Sequence, residues 1–257
     1  MSGHSKWSTI KHKKEANDAK KGKVFSKIST QITHAARQGG GDPDMNPSLR
    51  MYIDKAKAAG FPVDNIKKAI EKGTGEGDSG IVFEEASYEG FGPNGIAIIV
   101  DVLTDNKNRV VADLRNIFSD FGGTLGEMGS VSWNFETRGL ISVRCGHMEK
   151  SEKYGEDDKF VEDNKEEVMM ALMDIEGILD IEEDDGELSV FTEFQEMTKV
   201  RDEIAKLGYV LTDASIIKIA KTEKELNSEE YEKAVQALDR LEDYDDTQNV
   251  WTDLIMK

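Results

Sequence analysis

The spacing of apolar residues along this chain changes near residue 80. Phe25, Ile28, Ile32, Ala35 and Ala36 recur at helical spacing and form one stripe. Lys23, Lys27, Gln31 and His34 fall on a different face of the same helix, polar and partly basic. A shorter helix is expected over 11–21, set off by Gly22. "GGGDPD" from Gly39 ends the longer helix. Asn46 and Pro47 make an N-cap and first-turn pair for a third helix that turns Leu49, Ile53 and Ala56 inward. Asp64 opens a fourth, with Ile66, Ala69 and Ile70 apolar and Gly73 as its stop.

"GTGEGDSG" at 73–80 is a linker by composition, and strands follow it. They are expected at 82–90, 95–103, 131–136 and 140–145. The helix among them, 108–121, carries Val111, Leu114, Ile117, Phe118 and Phe121. Next come a helix over 160–175, a strand at 178–182, an Asp-Gly turn in "EDDGE" and a returning strand at 188–192. A helix over 194–207 and a strand from Tyr209 complete a βαββαβ order, the ferredoxin-like split motif. The last elements, strand 216–220, helix 228–244 and strand 249–255, find partners only among strands 82–136. The expected fold class is therefore α+β, in three domains. These are a helical domain at 1–75, a discontinuous α/β domain at 80–135 plus 212–257, and a ferredoxin-like domain at 136–211 inserted into it.

Charge changes this picture more than composition does. The 257 residues carry a formal net charge of -18, yet residues 1–72 hold 15 of the 33 lysines and arginines and only 7 of the 51 acids, a local net of +8. The remaining 18 basic and 44 acidic residues give -26. Such asymmetry suits one module that meets an anionic partner while the rest stays soluble and repels it. The segment 149–187 alone has 17 acids against 4 lysines and reads as a solvated face. No apolar run approaches the ~20 residues needed to span a bilayer, and lysines interrupt the N-terminus where a signal peptide would be apolar. One cysteine, Cys145, excludes an internal disulfide. The expected setting is cytoplasmic and reducing, away from membranes.

Two GxGxxG matches, Gly75-Gly77-Gly80 and Gly90-Gly92-Gly95, lack the strand-then-helix context that puts a phosphate on a helix N-terminus. They read as a linker and a β-turn. "GGTLGEMGSVSW" at 122–133 could cradle a phosphate through backbone N–H groups, but Glu127 argues against an anion, and such glycines more often permit positive φ and close packing. Cys145 and His147 are two metal-type ligands without a second pair, and read as a strand end. No catalytic residue, metal, cofactor or small-molecule substrate is expected, and the protein reads as a non-enzyme.

The N-terminal stretch does carry chemistry. Lys6, Lys11, Lys13, Lys14, Lys20, Lys21, Lys23 and Lys27 fall within 22 residues, with Trp7, His12 and Phe25 among them. Lysine is a point charge for phosphate, and tryptophan offers a stacking face for a base. Phe25 belongs to the apolar stripe and reads as core. The expected contact is with the nucleic-acid backbone, since only Arg37 and Arg50 could make the bidentate guanine contact that specifies sequence.

"GHSKWSTIKHKKEANDAKKGKVFSKI", "GGGDPDMNPSLR", "YEGFGPNGIAIIV", "TDNKNRVVADLRNIFSDFGGTLGEMGSVSW" and "LEDYDDTQNVW" resemble, in order, the blocks of the YebC family of bacterial proteins with mitochondrial relatives. The resemblance implies a helical N-terminal domain and two α/β domains around a cleft. It implies a probable DNA-binding transcriptional regulator. The alternative it carries is a ribosome-associated translation factor that binds ribosomal RNA and helps difficult peptide bonds to form. By position it places nucleic-acid contacts on Lys6, Trp7, Lys11, His12, Lys13, Lys14, Lys20, Lys21 and Lys23. The chain departs from the commoner pattern at 146–160, which looks like extra loop, and at Lys107 and Val110. Asn106, Lys107, Asn108 and Arg109 are expected as a polar cluster facing the cleft, or else as a helix start capped by Asp105 or Asn106.

Overall fold

The computed structural model describes residues 18–75, 82–149, 159–184 and 186–255. It is an α+β protein whose described residues form two compact units, one running to Glu136 and resuming at Ile219, the other Thr137–Lys218.

The first unit begins with three helices, α1 (Asp18–Gly39), α2 (Pro47–Ala58) and α3 (Val63–Thr74). The stripe on α1 packs as its spacing requires. Ile28, Ile32, Ala35 and Ala36 are buried against Leu49, Ile53 and Ala56 of α2 and Ile66 and Ala69 of α3, while half-buried Phe25 meets Phe61 edge-on at 5.1 Å between centroids. Asn46 caps α2 by accepting the Leu49 N–H at 3.1 Å, and its Nδ2 donates to the Ala35 and Gly40 carbonyls at 2.8 Å each. One buried amide thus joins the end of α1 to the start of α2. Two glycines behave differently from expectation. Gly22 lies inside α1 and does not divide two helices, because the packed stripe downstream outweighs its poor propensity. Gly73 is not the stop of α3. It sits within the helix where a Cβ would come 2.4 Å from the Thr33 carbonyl, and Gly75, at φ +94°, is the left-handed cap.

The same unit holds a four-stranded antiparallel sheet ordered β3-β1-β2-β9, with β1 at Glu84–Phe91, β2 at Ala97–Thr104, β3 at Thr124–Leu125 and β9 at Thr247–Thr252. The second GxGxxG is the tight link between antiparallel β1 and β2, with Asn94 at φ 54° and Gly95 at φ 70°. Two helices cover one face, α4 (Lys107–Asp120) and α7 (Ser228–Glu242). Ile98, Val100 and Val102 of β2 meet Leu114 and Phe118 of α4 and Leu238 and Leu241 of α7 in one core. On β2, Ala97, Ile99 and Leu103 are buried too, so this central strand is buried on both faces, with half-buried Asp101 breaking the apolar run between Ala97 and Leu103.

The second unit contains β4 (Phe135–Glu149), β5 (Lys159–Glu162), α5 (Lys165–Met173), β6 (Ile178–Asp184), β7 (Glu187–Glu193), α6 (Met197–Lys206) and β8 (Tyr209–Ala220). β4 pairs with β7 and β5, β7 pairs with β6, and β8 pairs with β4. Ile141, Val143, Leu188 and Val190 of the sheet pack on Val168, Leu172, Val200 and Ile204 of the helices.

Several expected boundaries are corrected here. The strand expected at 131–136 is a short 3-10 turn at Ser132–Asn134 that leads into β4 at Phe135. The expected strands from Tyr209 and at 216–220 are one strand, β8. The expected helix at 160–175 begins only at Lys165, because Lys159–Glu162 pairs with Glu149–Gly146 as β5. β4 therefore does not end at Cys145. His147 lies within it, and its Nδ1 faces Asp163 Oδ2 at 2.9 Å. Among the described residues no helix is long and apolar enough to cross a membrane, and no three His, Cys, Asp or Glu side chains gather as a metal site.

Candidate nucleic-acid interface

The basic residues divide into three groups. Lys6, Trp7, Lys11, His12, Lys13 and Lys14 lie outside the described residues. Of Lys20 and Lys21 the structure describes only the backbone, in the first turn of α1.

Lys23 and Lys27 are spoken for inside the protein. Lys23 Nζ pairs with Asp243 Oδ1 at 3.3 Å and donates to the Asp243 carbonyl at 3.2 Å. Lys27 Nζ donates to the Glu242 carbonyl at 2.8 Å. These carbonyls belong to the C-terminal end of α7, where cations satisfy unpaired oxygens and the negative end of the helix dipole. The same face of α1 carries His34, only 8% exposed, whose Nε2 lies 2.9 Å from Gln38 Nε2 and 3.5 Å from Glu85 Oε1. The polar face of α1 is thus turned toward α7 and β1. Arg50 is also committed, donating to the Pro43 carbonyl at 3.0 Å and the Asp44 carbonyl at 3.1 Å.

Exposed cations missed in the sequence lie on α3. Lys67, Lys68 and Lys72 are exposed, on the helix whose other side buries Ile66 and Ala69. Their signal was present in the strong amphipathicity of that helix, but it is diluted by Asp64 and Glu71. Lys57 of α2 is exposed as well, with Asp54 3.9 Å away.

The cluster at 106–109 is a helix start. Asn106 Oδ1 accepts the Arg109 N–H at 3.1 Å and caps α4. Arg109 Nη2 reaches Asp246 at 2.7 Å and Asp105 at 3.1 Å, and its guanidinium is held still more firmly protonated, first by the bond to Asp246. Thr104 Oγ1 donates to Asp246 Oδ2 at 2.7 Å and accepts the Asn106 N–H at 3.0 Å. Lys107 pairs with Glu84 at 2.5 Å, and Asn108 is exposed. Beside them Tyr244 donates to Asp113 Oδ2 at 2.9 Å, and burial followed by that bond pushes its phenol up to about 12. This network ties the start of α4 to the α7–β9 connection, which positions the carbonyls that Lys23 and Lys27 grip.

The glycine-rich turn after α4 does bind an anion through its N–H groups, and the anion is the protein's own. Glu89 on β1, 7% exposed, accepts Gly129 N–H at Oε1 and Val131 and Ser132 N–H at Oε2, each at 2.8 Å. Burial alone would raise the Glu89 carboxyl, but these bonds outweigh it and hold the group below its ordinary range.

Fold and charge together define an α+β protein that opens with a basic three-helix module. Residues 5–76 match the family model described as "TACO1/YebC protein N-terminal domain", and residues 83–254 match "TACO1/YebC second and third domain". The chain belongs to the YebC family. It is 45% identical over 251 residues to a probable transcriptional regulatory protein of Caldanaerobacter subterraneus subsp. tengcongensis, covering 98% of this chain and 97% of that one. It is likewise 45% identical over 258 residues to a probable transcriptional regulatory protein of Persephonella marina, covering 100% and 96%. A crystal structure of a conserved hypothetical protein from Aquifex aeolicus superposes with a TM-score of 0.82 at 35% identity, over 97% of this chain and 96% of that chain.

Proposed function

We propose that the protein is a transcriptional regulator that binds DNA through its basic N-terminal module and acts without catalysis. The observation that carries the reading is the charge division, +8 over residues 1–72 against -26 over the rest. The relatives named probable transcriptional regulatory proteins favour regulation. The phosphate contacts are assigned to Lys6, Lys11, Lys13, Lys14, Lys20 and Lys21, with Trp7 and His12 beside them and Lys67, Lys68 and Lys72 extending the surface. Lys23 and Lys27 hold α1 to α7 instead. With Arg50 engaged internally, contact is with the backbone more than with base edges. The second unit, whose sheet runs β5-β4-β7-β6 with β8 also paired to β4, is taken as the ferredoxin-like insertion, its acidic residues keeping nucleic acid to the basic module.

Crosslinking in cells, followed by sequencing of bound DNA and RNA together, tests the reading. Enrichment of promoter fragments is expected, with a specific affinity above the non-specific one by ~10³ or more. Recovery of ribosomal RNA without promoter DNA overturns it in favour of a translation role.

A further inference from the structure

The loop that encloses Glu89 buries Val131 but holds two large apolar side chains, Met128 and Trp133, outside. Trp133 is 69% exposed and Met128 is 94% exposed, although the loop between them is fixed at three N–H groups by one buried carboxylate. Large apolar side chains on a braced turn lose little entropy when they bind, and so are suited to recognition. Trp133 is fixed further. Its indole N–H donates to the Ser130 carbonyl at 3.0 Å, its own carbonyl accepts Lys221 Nζ at 3.2 Å, and the neighbouring Asn134 is tied to the Thr222 backbone on both amide atoms.

We infer that Trp133 is a stacking platform for an unpaired base, a second nucleic-acid contact apart from the lysine-rich N-terminus. The inference rests on the nucleic-acid reading above. Three observations select this partner. The indole N–H is already satisfied within the loop, so what the ring offers is its π-faces. Between Gly122 and Asn134 the only charge is Glu127, which suits contact with bases and not with phosphates. Lys221, at the Trp133 carbonyl, supplies one cation for the phosphate of a stacked nucleotide. The lysine module then supplies charge, and the tip distinguishes unstacked from paired bases.

The test uses the full chain carrying Trp7→Phe, which leaves Trp133 as the responsive tryptophan, since Trp251 is buried with its N–H on Asp101. Single-stranded oligothymidylate and oligouridylate are titrated against a duplex of equal length. Quenching of Trp133 by the single strands, and not by the duplex, is expected. Trp133→Ala should weaken single-strand binding about 5- to 100-fold and Trp133→Phe much less. Lys221→Ala should lower the log–log salt slope by about 0.7. If Trp133→Ala binds single strands as the parent does, while Lys11, Lys13 and Lys14 replaced by alanine weakens binding, the stacking inference fails and the nucleic-acid reading stands. If the unsubstituted chain binds no nucleic acid, both fail.

Discussion

The carboxylate of Glu89 accepts the backbone N–H of Val131 at 2.8 Å across a separation of 42 residues. Glu89 pairs in register with Ile99, and Ile99 with Trp251, so the carboxylate stands on a cross-strand row that spans β1, β2 and β9. The glycine-rich loop is anchored there.

Glu89→Ala should therefore destabilise the protein by about 3 kcal/mol, because it strands several buried donors at once, and urea unfolding would measure it. The pH dependence follows from the same bonds. The folded carboxyl is held below its ordinary value of 4.5, so its contribution is complete above that value and is lost as pH falls through the lower folded one. Glu89→Gln should flatten this acid limb. An unchanged acid limb would mean that the loop is held by other contacts.

Two glycines of the helical module give opposite results on mutation. Gly73→Ala drives a Cβ into the Thr33 carbonyl and the Ala36 side chain, at 2.4 and 2.7 Å, and should cost about 1–3 kcal/mol. Gly22 has nothing within 4 Å and lies inside α1, so Gly22→Ala should gain about 0.5–1 kcal/mol. Thermal melts of the two variants decide it. A stabilising Gly73→Ala would show that α1 and α3 can move apart freely.

These glycines also mark where the sequence could be read. The stripe on α1, the Asn46-Pro47 cap and the α4 core positions Leu114, Ile117 and Phe118 were legible, because periodicity and capping are local signals, whereas Val110 is buried in place of the expected Val111 and Phe121. Gly22 and Gly73 read as stops, and only tertiary packing shows otherwise. β5 was hidden because Lys159–Glu162 has no strand signal apart from its partner β4. The charge division was plain in the sequence. The partners of Lys23 and Lys27 were not, since they lie 220 and 215 residues away. The Glu89 cradle was missed for a similar reason: the anion comes from another strand, while the loop's own Glu127 argued against one.

Tyr244 predicts behaviour at high pH. Its phenol is pushed from 10.0 up to about 12, by burial first and then by its bond to Asp113. A folded pKa above the unfolded one stabilises fully below pH 10.0, and the benefit disappears as pH rises toward 12. Tyr244→Phe should remove part of the alkaline loss of stability. Tyr52, Tyr88, Tyr209 and the Cys145 thiol, each also raised by burial first, contribute to the remainder. Thermal melts across alkaline pH compare the two proteins. Identical alkaline limbs would place Tyr244 outside the transition.

Salt dependence separates the lysines that grip α7 from those assigned to phosphate. A lysine that neutralises a duplex phosphate contributes about 0.9 to the slope of log affinity against log salt. Replacing Lys11, Lys13 and Lys14 by alanine should lower that slope by up to about 2.7 with little change in melting temperature. Replacing Lys23 and Lys27 should do the reverse. Their ammonium groups reach the Asp243 and Glu242 carbonyls at 3.2 and 2.8 Å, so their loss should loosen α1 from α7 and lower the melting temperature. The cost should be small, about 1 kcal/mol, because Lys23 is half-exposed and its ion pair is screened. The slope itself should stay as it is. Fluorescence anisotropy on duplex DNA at several salt concentrations reads both variants, and equal slope losses in the two would return Lys23 and Lys27 to the interface.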